Sequence, residues 1–237
     1  MIDPKGRVVM ISGASRGIGM AIAKTLHAKG YVISAGARDV DALQAALSLL
    51  AGERLICARY DAVDRNSHTD WLAATLDRFG RLDALVNNAG ASNSFSIEAG
   101  DEADLDLLWA INVKGPLFLT RACLPHLRES GSGRVVNVAS LSGKRVRNDN
   151  IAYSMTKHAL LALTHGTRRI GWADGVRATA LCPGFVATDL TANVTKIRHD
   201  EMIDAADLAE LAATAIALPN TAAMAEMLVN CRFEDTL

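Results

Sequence analysis

The feature that most constrains this chain is a regular alternation. A short apolar run of strand length is followed by a longer run with apolar residues at helical spacing, almost from end to end. Residues 7–12 form the first apolar run. Residues 17–29 follow, with Ile18, Ala21, Ile22 and Leu26 three and four apart. The same pattern predicts strands over 31–36, 54–60, 82–87, 134–139, 176–182 and 224–230. It predicts helices over 39–51, 66–79, 104–129, 151–170 and 206–217. Strand–helix alternation builds a parallel sheet through right-handed crossovers. Strands that are apolar without interruption require cover on both faces. The expected architecture is therefore α/β, a doubly wound, mostly parallel sheet with helices on both faces. It is expected as one domain over residues 1–237, because no repeat, low-complexity tract or Pro/Gly/Ser-rich linker divides the chain.

Charge and composition exclude several function classes. The chain has 25 Lys and Arg against 26 Asp and Glu, so it lacks the basic excess of a nucleic-acid protein. Half of its residues are apolar, which argues against disorder. No run of about 18 apolar residues offers a membrane span. Cys57, Cys123, Cys182 and Cys231 lie far apart with no CxxC pair. They read as buried reduced thiols, which suits a cytoplasmic setting. The six histidines include no HExxH, and no metal is expected.

Ligands of a doubly wound sheet bind beyond the carboxyl ends of its strands, where strand order reverses. The chemistry is therefore sought in the segments that follow each strand. After the first comes Ser12-Gly13-Ala14-Ser15-Arg16-Gly17-Ile18-Gly19. Its glycines permit a tight turn and let backbone approach a pyrophosphate at the start of the next helix. A plain strand-to-helix turn is the alternative. After the second strand comes Gly36-Ala37-Arg38-Asp39. An acid at the Ala37 position would suit the 2′-hydroxyl of NAD, whereas an arginine accommodates the 2′-phosphate of NADP. Arg38, joined by Arg16 from the glycine loop, points to NADP(H) over NAD(H). Asp39 reads as the N-cap of the next helix.

The remaining strand ends add Asn87-Asn88-Ala89-Gly90, Ser140 and Pro183-Gly184. Tyr153 and Lys157 stand four apart on one helix, so they share a face. A serine can hydrogen-bond a carbonyl and a tyrosine can donate its phenolic proton. A neighbouring ammonium favours the phenolate. Singly each residue is ordinary; their combination after successive strands is not.

With these residues in view, the chain resembles the short-chain dehydrogenase/reductase family in its compact single-domain branch. The resemblance runs from about residue 5 to residue 190. It rests on the glycine loop, Asn87 to Gly90, Asn112, Ser140 with Tyr153-x3-Lys157, and Pro183-Gly184-x-Val186-x-Thr188. It implies a Rossmann-type fold and NAD(P)-dependent interconversion of an alcohol and a ketone or aldehyde, with carbonyl reduction expected. It implies that Tyr153 is the acid in reduction and the base in oxidation, and that Ser140 orients the carbonyl. Lys157 would hold the nicotinamide ribose and tune Tyr153, and Asn112 would fix a water linked to Lys157. The cofactor positions it implies are Gly13, Ser15, Arg16, Gly17, Ile18, Gly19, Arg38, Asp61, Asn88, Ala89, Gly90, Tyr153, Lys157, Pro183, Gly184, Val186 and Thr188. Asp61 would lie near the adenine. The helices around Asn112 and Tyr153 are expected to join subunits in a homodimer or homotetramer. A non-catalytic NADP-binding regulator on the same fold is the alternative, though it would be free to lose Tyr153, Lys157 or Ser140. A nucleotide-fold methyltransferase has no use for those three.

Between Ser140 and Tyr153 the chain carries Lys144, Arg145 and Arg147 against Asp149 alone. Both ends of this segment join candidate catalytic residues, so part of it is expected to border the substrate. The three cations suggest an acidic substrate; a solvated loop or an intersubunit salt bridge is the plainer reading.

Overall fold

The computed structural model describes residues 1–50 and 52–234. Seven strands form one sheet: β1 Val8–Ser12, β2 Val32–Ala37, β3 Leu55–Arg59, β4 Ala84–Asn87, β5 Arg134–Val138, β6 Arg177–Pro183 and β7 Glu226–Val229. Their spatial order is β3-β2-β1-β4-β5-β6-β7 and every pairing is parallel. The order reverses between β1 and β4, which opens a crevice above their carboxyl ends.

The helices are α1 Gly17–Ala28, α2 Val40–Ala46, α3 Arg65–Phe79, α4 Glu102–Trp109, α5 Gly115–Glu129, α6 Ile151–Gly171 and α7 Ala205–Ala217. They cover both faces. Val9, Ile11 and Ile33 pack with Ile22 and Leu26 of α1 and with Leu208 and Ile216 of α7. Val8, Met10 and Leu85 face the other way, onto Trp71 of α3 and Leu119 and Leu127 of α5. Leu160 and Leu161 of α6 pack with Ala180 and Cys182 of β6. The uninterrupted apolar runs thus serve two cores at once. Among the described residues no helix is long and apolar enough to cross a membrane.

Two helices differ from the sequence expectation. The stretch expected as one helix over 104–129 is α4 and α5 joined through a π-helical turn, Ala110–Lys114. Pro116 explains the break. It has no N–H, so it cannot make the i→i−4 bond to the Asn112 carbonyl, and the turn widens. The helix expected over 39–51 stops at Ala46, and a 3₁₀ turn, Ser48–Leu50, follows; its expected end at residue 51 lies outside the described residues.

The amino end of the sheet is tied by charge. Asp83, just before β4, is fully buried. It accepts from Arg81 at 2.9 and 2.7 Å and from the Val8 N–H at 2.9 Å, with Arg7 3.4 Å away. This node is at the opposite end of β4 from the crevice.

Candidate active site

A cleft of about 1000 Å³ lies over the carboxyl ends of the strands. Its first wall is the loop between β1 and α1. Gly13 has φ +68°, and a Cβ there would meet the Ala89 Cα at 2.9 Å. The Ser12 hydroxyl, which closes β1, accepts from the N–H groups of Asn88 and Ala89 at 3.0 and 3.1 Å. The Asn88 amide donates back to the carbonyls of Ser12 and Gly13, both at 3.0 Å. The glycine loop and the end of β4 are therefore one built unit. Helix α1 begins at Gly17 with no side chain capping its N-terminus, so its first N–H groups stay available. Gly13, Ser15, Arg16, Gly17 and Ile18 line the cleft. Gly19 does not line it: it packs behind, where a Cβ would stand 2.3 Å from the Gly13 carbonyl oxygen.

Ala37, Arg38 and Asp61 line the cleft where β2 and β3 end. Ala37 is buried and Arg38 exposed. The Asp39 carboxylate accepts from the Ala42 N–H at 2.9 Å and so caps α2. Arg16 meets Asp189 at 3.2 Å in an ion pair whose two side chains are both over two-thirds exposed. Such a pair is worth about 0–1 kcal/mol, so Arg16 is easily released to another anion.

At the other end of the cleft, Ser140 follows β5 and Tyr153 and Lys157 lie on the first turns of α6. Asn150 caps α6 by accepting from the Tyr153 N–H at 3.2 Å. Its amide also donates to the Ser92 hydroxyl at 3.0 Å and to the Asn93 carbonyl. Lys157 is buried, and its ammonium donates to the Val138 carbonyl at 2.9 Å. Burial lowers its pKa to about 8, partly offset by Cys182. Burial pushes the Tyr153 phenol up to about 12, and the Ser140 hydroxyl pulls it back in part. The Lys157 nitrogen stands 5.4 Å from the Tyr153 ring centre. Ser140 accepts from the Ser142 N–H at 3.1 Å, which fixes the serine at the head of a 3₁₀ turn.

Asn112 lies behind the cleft wall. Its amide accepts from the Ala91 N–H and donates to the Ala91 carbonyl, both at 2.9 Å, and donates to Thr156 at 3.1 Å. Thr156 in turn donates to the Tyr153 carbonyl at 2.8 Å. Asn88, Ala89 and Gly90 line the cleft, as do Pro183, Gly184, Val186 and Thr188. The Thr188 methyl lies where a Cβ on Gly17 would come within 3.3 Å.

The three cations after Ser140 have separate fates. Lys144 pairs with Glu226 at 2.7 Å, and that glutamate also meets His165 at 2.8 Å. Arg145 holds both oxygens of Glu234 at 2.7 Å, and Arg147 reaches the same carboxylate at 3.2 Å. Burial alone would raise the Glu234 pKa, but the two arginines outweigh it and hold the group below its ordinary value. All three thus pair with carboxylates of their own chain, where the sequence reading offered a solvated loop or a bridge between subunits. Sequence reasoning missed Asn150, Asp189 and Glu234. Asn150 had a signal, a capping residue directly before a helix. Glu234 had none, because its partners lie 87 and 89 positions away.

The family model described as short chain dehydrogenase matches residues 7–199. The agropine synthesis reductase of Rhizobium rhizogenes is 46% identical over 228 residues, covering 96% of this chain and 53% of that protein. The chain thus spans about half the length of that relative. An uncharacterized oxidoreductase of Staphylococcus saprophyticus is 31% identical over 93% of this chain and 95% of its own. Among solved structures, the alcohol dehydrogenase of the archaeon Thermococcus sibiricus, complexed with 5-hydroxy-NADP, superposes with a TM-score of 0.85. It is 28% identical, with 94% of this chain and 95% of that one covered.

Proposed function

The chain belongs to the short-chain dehydrogenase family, and we propose that it interconverts an alcohol and a ketone or aldehyde, working as an NADP(H)-dependent carbonyl reductase. The observation that carries this reading is the meeting of Ser140, Tyr153 and Lys157 in one cleft with the glycine loop.

The residues present fit a phosphorylated dinucleotide. Gly13 leaves space that a Cβ would close, and the N-terminus of α1 is uncapped by any side chain. Asp61 and Arg38 border the end assigned to the adenosine. Arg38 and Arg16 favour a 2′-phosphate, while the nearby acid Asp39 is engaged as a helix cap. When bound, NADP(H) supplies or accepts the hydride.

The chain's own residues handle the proton and the developing charge. Tyr153, with its pKa near 12, stays protonated at neutral pH and donates to the carbonyl oxygen in reduction. Ser140 hydrogen-bonds the same oxygen. The Lys157 ammonium, anchored through one N–H on Val138, has two more N–H groups for the ribose and for stabilising the phenolate. Asn112 acts by holding Ala91 and, through Thr156, the turn that carries Tyr153. Four free thiols support a cytoplasmic setting. Exposed Leu107 on α4 and Met155 on α6 support a homodimer or homotetramer through those helices.

The test is a screen of the purified chain against ketones and aldehydes, with NADPH and NADH in parallel. The reading expects at least one carbonyl to consume NADPH, faster than NADH, and Tyr153→Phe to stop it. A library that leaves NADPH untouched rejects the reading.

A further inference from the structure

Arg145 and Arg147 both border the cleft and share one carboxylate, Glu234. The sharing is unequal. Arg145 uses Nε and Nη2 on the two oxygens, a closed two-point contact in which both partners are largely buried. Arg147 adds one nitrogen, at 3.2 Å, to the oxygen that Arg145 Nε already holds, and its side chain stays half exposed. A guanidinium has five N–H donors. Two positive charges on one negative charge leave the cluster one anion short among the described residues. Lys196 and Arg232 line the same cleft and add field of the same sign. Asp61 and Asp189, the other acids lining the cleft, stand against Arg59 and against Arg16 of the glycine loop, and neither meets Arg147. Low-dielectric walls focus such a field into the cleft.

We propose that Arg147 is the recognition point for a carboxylate carried by the substrate, with Arg145 and Glu234 as the scaffold that holds it at the cleft. The inference rests on the oxidoreductase reading above and narrows its substrate to keto or aldehydo acids. Planar carboxylates match the guanidinium fork, which gives the site its selectivity. Of the three cations after Ser140, Lys144 is held by Glu226 and Arg145 is closed by Glu234. Arg147 is the most exposed of the three and meets its carboxylate through a single nitrogen, so it is the one open to a ligand in the cleft.

The experiment compares 2-oxobutanoate, 4-oxopentanoate and 6-oxoheptanoate with their amides, using the full chain and NADPH. At least one acid is expected to exceed its amide in kcat/KM by about tenfold or more. That ratio should collapse toward one in Arg147→Gln and be partly kept in Arg147→Lys. In Glu234→Gln it should rise, because the arginines lose their internal counter-charge. A purely structural cluster would lower turnover of acid and amide alike in both charge-removing variants. No acid preference in the parent chain, or a preference untouched by Arg147→Gln, overturns the proposal. If neither the acids nor neutral carbonyls consume NADPH, the redox reading fails, and calorimetry decides the carboxylate site separately. Heat of acid binding to the parent chain that disappears in Arg147→Gln supports the site; equal heats, or no binding to either chain, remove it.

Discussion

Lys157 donates its buried ammonium to the backbone carbonyl of Val138, the last residue of β5, at 2.9 Å. The contact ties the proton-handling helix to the strand that delivers Ser140, two residues further on. It also fixes a lysine that loses its proton more easily folded, near pH 8, than unfolded, at 10.5. Reduction needs the ammonium, so kcat/KM should be flat below about pH 8 and fall as pH rises through it. The pH profile of the free enzyme reads this directly. Between about 8 and 10.5 the unfolded chain binds the extra proton, so this lysine's contribution to stability rises with pH there. Lys157→Met should be more stable than the parent at pH 7 by up to about 3 kcal/mol, with the gap closing above pH 10. Denaturant melts at the two pH values check the sign.

Tyr153→Phe removes one oxygen and leaves the helix and Lys157 in place. Turnover should fall by about 10²–10⁴-fold, the usual worth of general acid–base assistance. NADPH affinity, read by fluorescence titration, should change little. Turnover at the parental rate would mean that another group supplies the proton.

The cofactor preference is expected to rest on Arg38 and Arg16. One charge-assisted contact to a phosphate is worth roughly 1.5–3 kcal/mol, or about one to two decades of affinity. Arg38→Ala should weaken NADPH by that amount and leave NADH nearly unchanged. Arg16→Ala should add a smaller loss, because Arg16 leaves an exposed pair with Asp189 to bind. Equal parental affinity for the two cofactors would reject the assignment.

Strands were legible in the sequence because Val8 to Ile11 and Ala84 to Val86 are buried on both faces and so are apolar without a break. Tyr153 and Lys157 were legible because helical periodicity places them on one face. The π-turn was less so: its cause, Pro116, is local, but its effect is on a residue four positions earlier. The Glu234 clamp on Arg145 could not be read at all, because pairing at that separation follows from the fold and leaves no periodic trace. For the same reason the loop's charge suggested three equivalent cations, whereas the structure separates one on Glu226 from two on Glu234.

Asp83 provides a test at the opposite end of the sheet. It is fully buried against Arg7, Arg81 and the Val8 N–H. Asp83→Ala leaves Arg7 buried without its carboxylate, at a cost of about 3–5 kcal/mol. For a chain of this length that lowers Tm by roughly 6–20 °C. The folded variant should keep its KM and kcat, since Asp83 lies at the end of β4 away from the cleft. A kinetic defect without a thermal one would contradict this separation of stability from chemistry.

Asn112 is expected to act on the reaction through the groups it holds in place. Its amide makes three bonds, two to Ala91 and one to Thr156, and Thr156 holds the Tyr153 carbonyl. It therefore links the loop after β4 to the turn of α6 that carries the phenol. Asn112→Ala releases both sides of that link. Misplacing a reacting group by about 1 Å can cost 10²-fold, so kcat should drop by about 10–100-fold, less than in Tyr153→Phe. The pH at which kcat/KM falls should also move, because loosening the wall beside Lys157 admits water and relieves the burial that lowers its pKa. The expected direction is upward from about 8. Asn112→Asp keeps an acceptor for the Ala91 N–H but loses both amide donors, so it should not restore kcat. A variant with reduced kcat and an unmoved pH profile would confine Asn112 to holding Tyr153 and detach it from Lys157.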